Sequence, residues 1–319
     1  MTYSFSSTDA TSTTEHEVAI SGLSPGTRYF YTIGSTTVDY QGDVNNYFFT
    51  SLPTGSTAPF RIWATGDFGN NSSGQANTRN AMETYTTGNR PALWVWQGDN
   101  AYSYGTDAEY TSNVFNIYPN QFKNIPVYPC LGNHDYAQAG YQSATSLGIS
   151  APYFTIFTCP TSGQAGGVAS STEKYYSYNY GNVHFIVLDS YGSLNAAGSP
   201  QFTWLQNDLA ANTQRFTIAM WHHPPYSHGT HNSDSETEMV DMRNNITPLL
   251  DQYKVDLVLN GHSHTYERTW LIKGHQGVAS TFTNAMKVDA TNGNSPYYLK
   301  SSANNFDGTV YCVIGVSGQ

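Results

Sequence analysis

Five short polar blocks hold most of this chain's capacity for chemistry: Gly66-Asp67-Phe68-Gly69, Gly98-Asp99-Asn100-Ala101-Tyr102, Gly132-Asn133-His134-Asp135, Trp221-His222-His223 and Gly261-His262-Ser263-His264. Their side chains offer carboxylate, amide, phenol and imidazole donors and no thiolate. Such a set suits hard or borderline metal ions and not iron–sulfur clusters or Cys-rich structural zinc. Taken together, the blocks predict one dinuclear metal site. Two cations a few ångströms apart need a shared carboxylate and open positions for water and substrate, and Asp99 is the natural bridge. A glycine precedes a donor in four of the blocks (Gly66, Gly98, Gly132 and Gly261). There the missing side chain lets the backbone turn sharply or come close to the metals. His262 and His264 alternate by two, so a strict strand points them the same way and a loop can aim them at two different ions.

The elements that must carry these donors are legible as well. Each block follows a short apolar run, at residues 60–65, 92–97, 125–131, 216–220 and 255–260. Runs so rich in Val, Ile, Leu, Trp and Tyr read as buried strands. The stretches between them are long enough for crossover helices. The expected architecture is therefore layered α/β, with the polar blocks along the carboxyl ends of the strands, where such sheets place ligands. Residues 176–180 and 183–188 around Gly181-Asn182 read as a hairpin with a two-residue turn, leading into a second sheet and a sandwich flanked by helices. Ser199 caps a helix with Pro200 at its first position and Phe202, Leu205 and Leu209 along one stripe. Another helix spans residues 235–253, with Met239, Met242, Ile246, Leu249 and Tyr253 on its buried face and a kink at Pro248. His184 sits in a strand with no block around it and reads as structural.

The order Asp-x-Gly, Gly-Asp-x-x-Tyr, Gly-Asn-His-Asp, x-x-x-His, Gly-His-x-His resembles that of the calcineurin-like metallophosphoesterases, and specifically the purple acid phosphatases, over residues 58–319. Tyr102 makes the likeness specific, since most metallophosphoesterases lack a Tyr ligand there. The resemblance implies a four-layer α/β/β/α sandwich. It also implies that Asp67, Asp99, Tyr102 and His264 hold a ferric ion, and that Asp99, Asn133, His222 and His262 hold a divalent metal, Fe, Zn or Mn. The fourth block reads Ala219-Met220-Trp221-His222 where the family usually opens with Val, a change at a non-ligand position. Between His222 and His223 the family's His-x-Pro pattern favours His222.

Two cations clamp a phosphate ester, neutralise its oxygens and lower the pKa of a bound water so that hydroxide exists below neutral pH, ready for in-line attack on phosphorus. The leaving alkoxide needs a proton or charge stabilisation, and His134 and His231 are the candidates to supply it. His134 adjoins Asn133, and in related enzymes the equivalent His contacts the phosphate. His231 lies nine residues after His222 and matches a family His near the substrate, whereas the next family His is Asn232 here. The alternative for His231 is a solvated loop histidine. Asp135 either orients His134 or another ligand, or caps a turn.

Composition sets the wider frame. The chain has 319 residues, enough for one large domain and a small one. A net charge of -10 with only 13 basic residues argues against a nucleic-acid groove. No apolar run reaches membrane-spanning length, and the first residues lack the pattern of a signal peptide. A surface whose solubility rests on Ser, Thr, Asn, Gly and Tyr suggests a secreted or periplasmic protein, its signal peptide removed or outside this chain. Of the three cysteines, Cys130 and Cys159 either bridge or remain free buried thiols, and Cys312 is left over. Residues 1–57 have another texture. Runs at 15–21, 27–33 and 47–50 around Pro25-Gly26 resemble the last strands of a fibronectin type III-like domain, about half of a sandwich of roughly 100 residues. The alternative is a β-rich extension packed on the catalytic domain of residues 58–319. Residues 52–57 read as the linker, and 310–316 as a last strand, after which the family continues further.

The expected protein is thus an acid phosphatase, a dinuclear-metal hydrolase of phosphoric monoesters acting at acidic pH on small phosphorylated substrates. A phosphodiesterase or nucleotide hydrolase on the same scaffold is the alternative among enzymes. Outside them stand a binding module with a retired metal site and a carbohydrate-binding or adhesive protein. The intact ligand set argues against a retired site.

Overall fold

All five apolar runs form strands in the computed structural model, which describes residues 3–136, 151–191, 195–288 and 307–319. In chain order the strands are β1 (Arg28–Phe30), β2 (Ile33–Gly34), β3 (Asp39–Gln41), β4 (Tyr47–Phe49), β5 (Ile62–Thr65), β6 (Leu93–Trp96), β7 (Val127–Pro129), β8 (Tyr176–Tyr180), β9 (Val183–Val187), β10 (Phe216–Met220), β11 (Leu257–Asn260), β12 (Tyr266–Arg268) and β13 (Val310–Ile314). One sheet is the parallel trio β5-β6-β7. The other has the order β12-β13-β11-β10-β9-β8, parallel in its middle and antiparallel at both margins.

Side-chain alternation explains why these sheets stack. In β6 every residue is buried. Leu93 and Val95 enter a core shared with Phe185, Val187, Met220 and Leu259 of the second sheet. Trp94 and Trp96 point the other way, into a cluster with Met82 of the helix Ser73–Tyr85 and with Tyr110 and Val114. In the larger sheet, Ile186, Ala219, Val258 and Tyr311 turn outward against Leu205 and Leu209 of the helix Pro200–Ala211 and against Met242, Ile246 and Leu250. A strand buried on both faces needs apolar residues at every position, and four layers α/β/β/α result.

The helix Pro200–Ala211 starts as expected, with Ser199 Oγ accepting from Phe202 N at 3.3 Å. Residues 237–253 form one helical run with its irregularity placed differently from the expected kink. A π-helical turn, Met242–Ile246, lies between Thr237–Asp241 and Thr247–Tyr253, and Pro248 falls in the first turn of the last piece, where its missing N–H costs nothing. The hairpin β8–β9 turns at Gly181-Asn182.

The amino-terminal segment forms two separate ribbons, β1 with β4 and β2 with β3. Residues 15–21 carry no strand, contrary to the sequence pattern, and Val18 and Ile20 are exposed. Alternation in a polar stretch makes a strand only where a partner edge covers it. The segment touches the α/β part through Tyr31 Oη to Lys123 O at 3.1 Å and Asn124 Nδ2 to Asn45 O at 2.6 Å. All three cysteines are free and buried. Among the described residues no helix is long and apolar enough to cross a membrane.

Candidate metal centre

Every polar block hangs at the carboxyl end of a strand: Asp67 after β5, Asp99 after β6, Asn133 after β7, His222 after β10 and His262 after β11. Asp67, Asp99 and His262 themselves take the left-handed conformation, with φ of 57°, 50° and 66°. Outside glycine that costs on the order of 1 kcal/mol or more and clusters at functional sites. Of the four preceding glycines only Gly98 has positive φ, 85°. The others serve close approach instead. A Cβ on Gly132 would strike the Asp99 backbone and carboxylate, and one on Gly261 would lie 2.5 Å from Asp67 Oδ2.

The donors gather into two groups that share Asp99. In the first, Tyr102 Oη donates to Asp67 Oδ1 and Asp99 Oδ2, each at 3.1 Å, and His264 Nε2 lies 3.5 Å from Asp67 Oδ1. In the second, Asn133 Oδ1 stands 3.1 Å from His222 Nε2 and 3.2 Å from His262 Nδ1, while His222 Nε2 is 3.3 Å from Asp99 Oδ2. Asp67 is further fixed by His262 N, which donates to its Oδ2 at 2.8 Å. His222 is aimed by its far nitrogen, Nδ1 lying 2.7 Å from Gln97 O. His223 engages Ser190, its Nδ1 2.9 Å from Ser190 Oγ, while its ring packs 4.3 Å from that of His262. His222 thus faces Asp99 and Asn133, and His223 lies beside His262 within reach of the same group.

Burial and mutual charge set the electrostatics. Burial pushes the Asp67 carboxyl above its ordinary range, against the pull of His222 and His264. Burial acts likewise on Asp99, but there His222 and His134 prevail and hold the carboxyl well below that range. On His222, burial is outweighed by Asp99 and Asp67, which push it up to about 9. His262 is held down to about 3 by burial and by His222. Burial and the two carboxylates push the Tyr102 phenol far above its usual value. The protein thus concentrates acceptors around one hydroxyl proton, and cations are the natural countercharge. Oxygen donors with one imidazole on one side and imidazoles with an amide on the other would suit two metal ions, and Asp99 belongs to both groups of donors.

Around this centre lie the remaining candidates. His134 borders it: its backbone N donates to Asp99 Oδ1 at 2.8 Å and its ring sits 4.6 Å from that of Tyr102. His231 lies in a loop and is half-buried; its ring packs 3.9 Å from that of His262, and Nδ1 is 2.9 Å from each Glu236 oxygen. Asp135 lies buried beneath the loops and accepts from Gly132 N and Tyr110 Oη, both at 2.8 Å, and from Asn100 Nδ2 at 3.0 Å. It ties the loops after β6 and β7 together, and burial together with Asp99 pushes it up to about 7. Glu236 went unnoticed in the sequence because no motif surrounds it. Its one local signal is a carboxylate five residues after His231, at the mouth of a helix.

Residues 60–266 match the sequence profile of the calcineurin-like phosphoesterases. The chain is similar to purple acid phosphatase 23 of Arabidopsis thaliana, 30% identical over 280 residues, covering 79% of this chain and 57% of that protein. It is similar to acid phosphatase type 7 of Mus musculus, 27% identical over 303 residues, covering 89% and 62%. Among solved structures, purple acid phosphatase PPD1 from yellow lupin (Lupinus luteus) seeds superimposes with a TM-score of 0.62 at 19% identity, covering 86% of this chain and 47% of that one. The chain spans about half the length of the curated relatives it matches.

Proposed function

Because the chain belongs to the calcineurin-like phosphoesterase family, we propose that it is a metal-dependent phosphoester hydrolase, an acid phosphatase that cleaves monoesters of small phosphorylated substrates at acidic pH. The observation that carries this reading is Asp99 Oδ2, 3.1 Å from Tyr102 Oη and 3.3 Å from His222 Nε2, one oxygen facing both donor groups. Asp67, Tyr102, His264 and Asp99 would hold Fe(III), the ion acidic enough to keep a phenol ionised in acid. Asn133, His222, His262 and Asp99 would hold the divalent ion, Fe, Zn or Mn. When bound, such a pair supplies charge neutralisation for phosphate oxygens and an activated water.

This chain's own residues do the rest. Asp67 and Asp99, fixed by backbone amides of the facing loops, set the spacing of the two donor groups. His134 and His231, on loops bordering the centre, would hold or deliver a proton at the leaving oxygen. The low fraction of charged residues, 11%, supports an extracytoplasmic setting.

The test joins metal analysis to a substrate panel. Protein reconstituted with iron and zinc should bind two metals per chain, show a visible charge-transfer band and turn over aryl and alkyl monoesters faster than diesters. Tyr102→Phe should lose the band while keeping much of the divalent metal. Faster turnover of diesters would move the chain to the phosphodiesterases. A colourless protein with oxidised iron confirmed at the site would refute the phenolate ligand.

A further inference from the structure

Glu236 stands where a helix begins. It occupies the cap position of Thr237–Asp241, yet its side chain makes no capping hydrogen bond. The residues that cap such a position are the short Ser, Thr, Asn and Asp; the longer Glu236 side chain instead reaches the histidines of the metal centre. Oε2 lies 3.0 Å from His262 Nε2 and 2.9 Å from His231 Nδ1, and Oε1 accepts from Asn232 N at 3.0 Å and also lies 2.9 Å from His231 Nδ1.

The loop that delivers it is pinned at several points. Ser227 N donates to Ser233 Oγ at 3.1 Å, Ser233 Oγ donates to Ser227 O at 3.0 Å, and Arg243 Nη1 donates to Pro225 O at 3.1 Å and also to Ser233 O. Glu236 is therefore held on a fixed frame and does not swing freely from the surface.

We propose that Glu236 is a positioning residue shared by the two arms of the centre, a metal ligand and a proton carrier. Accepting Nε2–H of His262, it leaves the Nδ1 lone pair facing Asn133, the direction a metal must take. Accepting Nδ1–H of His231, it holds that ring against His262 and leaves Nε2 as the unprotonated nitrogen. A carboxylate on the far nitrogen of a metal-bound histidine fixes its tautomer and orientation, and its loss typically costs about 10–100-fold in metal affinity. What is particular here is that one carboxylate serves a ligand and a neighbouring non-ligand histidine together. The assignment rests on the metal-dependent reading above.

The experiment uses the full chain loaded with Zn²⁺, with Glu236→Gln, Glu236→Ala and His231→Ala alongside wild type. The glutamine keeps the shape but offers one acceptor oxygen where two now face three N–H donors. Chelator competition should show the weaker zinc bound about 10–100-fold less tightly in Glu236→Ala, a smaller loss in Glu236→Gln, and little change in His231→Ala, since His231 is not a ligand. Long-range ¹⁵N–¹H spectra of the zinc form should show His231 protonated at Nδ1 in wild type and a mixture of tautomers in both Glu236 variants. Zinc affinity unchanged in both Glu236 variants, or an unmoved His231 tautomer, overturns the assignment alone. A wild type that takes up no zinc overturns the metal-dependent reading and this assignment with it.

Discussion

Two buried histidine–carboxylate clusters, one on the larger sheet and one where the ends of both sheets meet, are built on opposite principles. In one, His184 of β9 places Nε2 2.7 Å from Asp208 Oδ2 and Nδ1 2.7 Å from Asn179 Oδ1, while Asp208 Oδ1 accepts from Ser177 Oγ at 2.8 Å and Val168 N at 2.7 Å. Each ring nitrogen and each carboxylate oxygen has its own partner, and neither residue has positive φ. In the other, around Asp99, two histidine nitrogens converge on a single Asn133 oxygen and two carboxylates share one phenol proton. Three of its residues hold left-handed backbones. The first cluster satisfies itself and serves stability. The second crowds several acceptors around few protons, which is the arrangement a metal pair can take over.

The contrast can be broken most decisively at Asp99. If it bridges, Asp99→Ala loses both metals together, and with them activity falls at least about 1,000-fold, as expected when a whole catalytic centre is lost. Metal analysis decides it, and retention of two metals per chain ends the bridging assignment. The self-satisfied cluster should behave inversely. Asp208→Ala strands donors from His184, Ser177 and Val168 and should destabilise the fold by about 3–5 kcal/mol in denaturant titration, with metal stoichiometry unchanged. Metal loss in the still-folded variant would show that the two clusters are not independent.

Asp189 sharpens the comparison from between them. It is fully buried, accepts from Tyr191 N at 2.9 Å and from Tyr136 Oη at 2.5 Å, and burial pushes its carboxyl up to about 6. A carboxyl with a raised folded-state pKa gives stability that is complete below the ordinary value near 4 and is lost as pH rises through about 6. Wild-type stability should therefore lose up to about 3 kcal/mol between pH 4 and pH 7 from this group. Asp189→Asn, neutral throughout, should flatten that part of the profile. An unchanged slope would mean the buried group is charged and otherwise compensated.

Much of this molecule could be read before it was folded. The strands announced themselves because their burial on both faces demands unbroken apolar runs, as in Leu93-Trp94-Val95-Trp96. Ser199-Pro200 marked a helix start because capping is chemistry between near neighbours in the chain. Residues 15–21 depart from the pattern for the complementary reason: alternation records a preference for a half-buried surface, and among the described residues no strand pairs with them to supply one. Pro248 reads as a kink in the sequence, yet it falls in a first turn, a place that depends on where the preceding π-helical turn ends.

By itself, then, the sequence determined which residues carry donors, that each follows a strand, and that glycines make room beside them, because these are properties of short segments. Only the tertiary structure decided the rest. Sheet order sets β10 beside β11, so that His222 and His262 meet over Asn133, while packing of the facing sheet brings Asp99 beneath them. The pinned loop after Pro225 carries Glu236 onto both His231 and His262. It also decided that Asp135 braces loops from below and that the cysteines stay unpaired. Such contacts join residues many positions apart, and their energy depends on distance and burial, which no local pattern encodes.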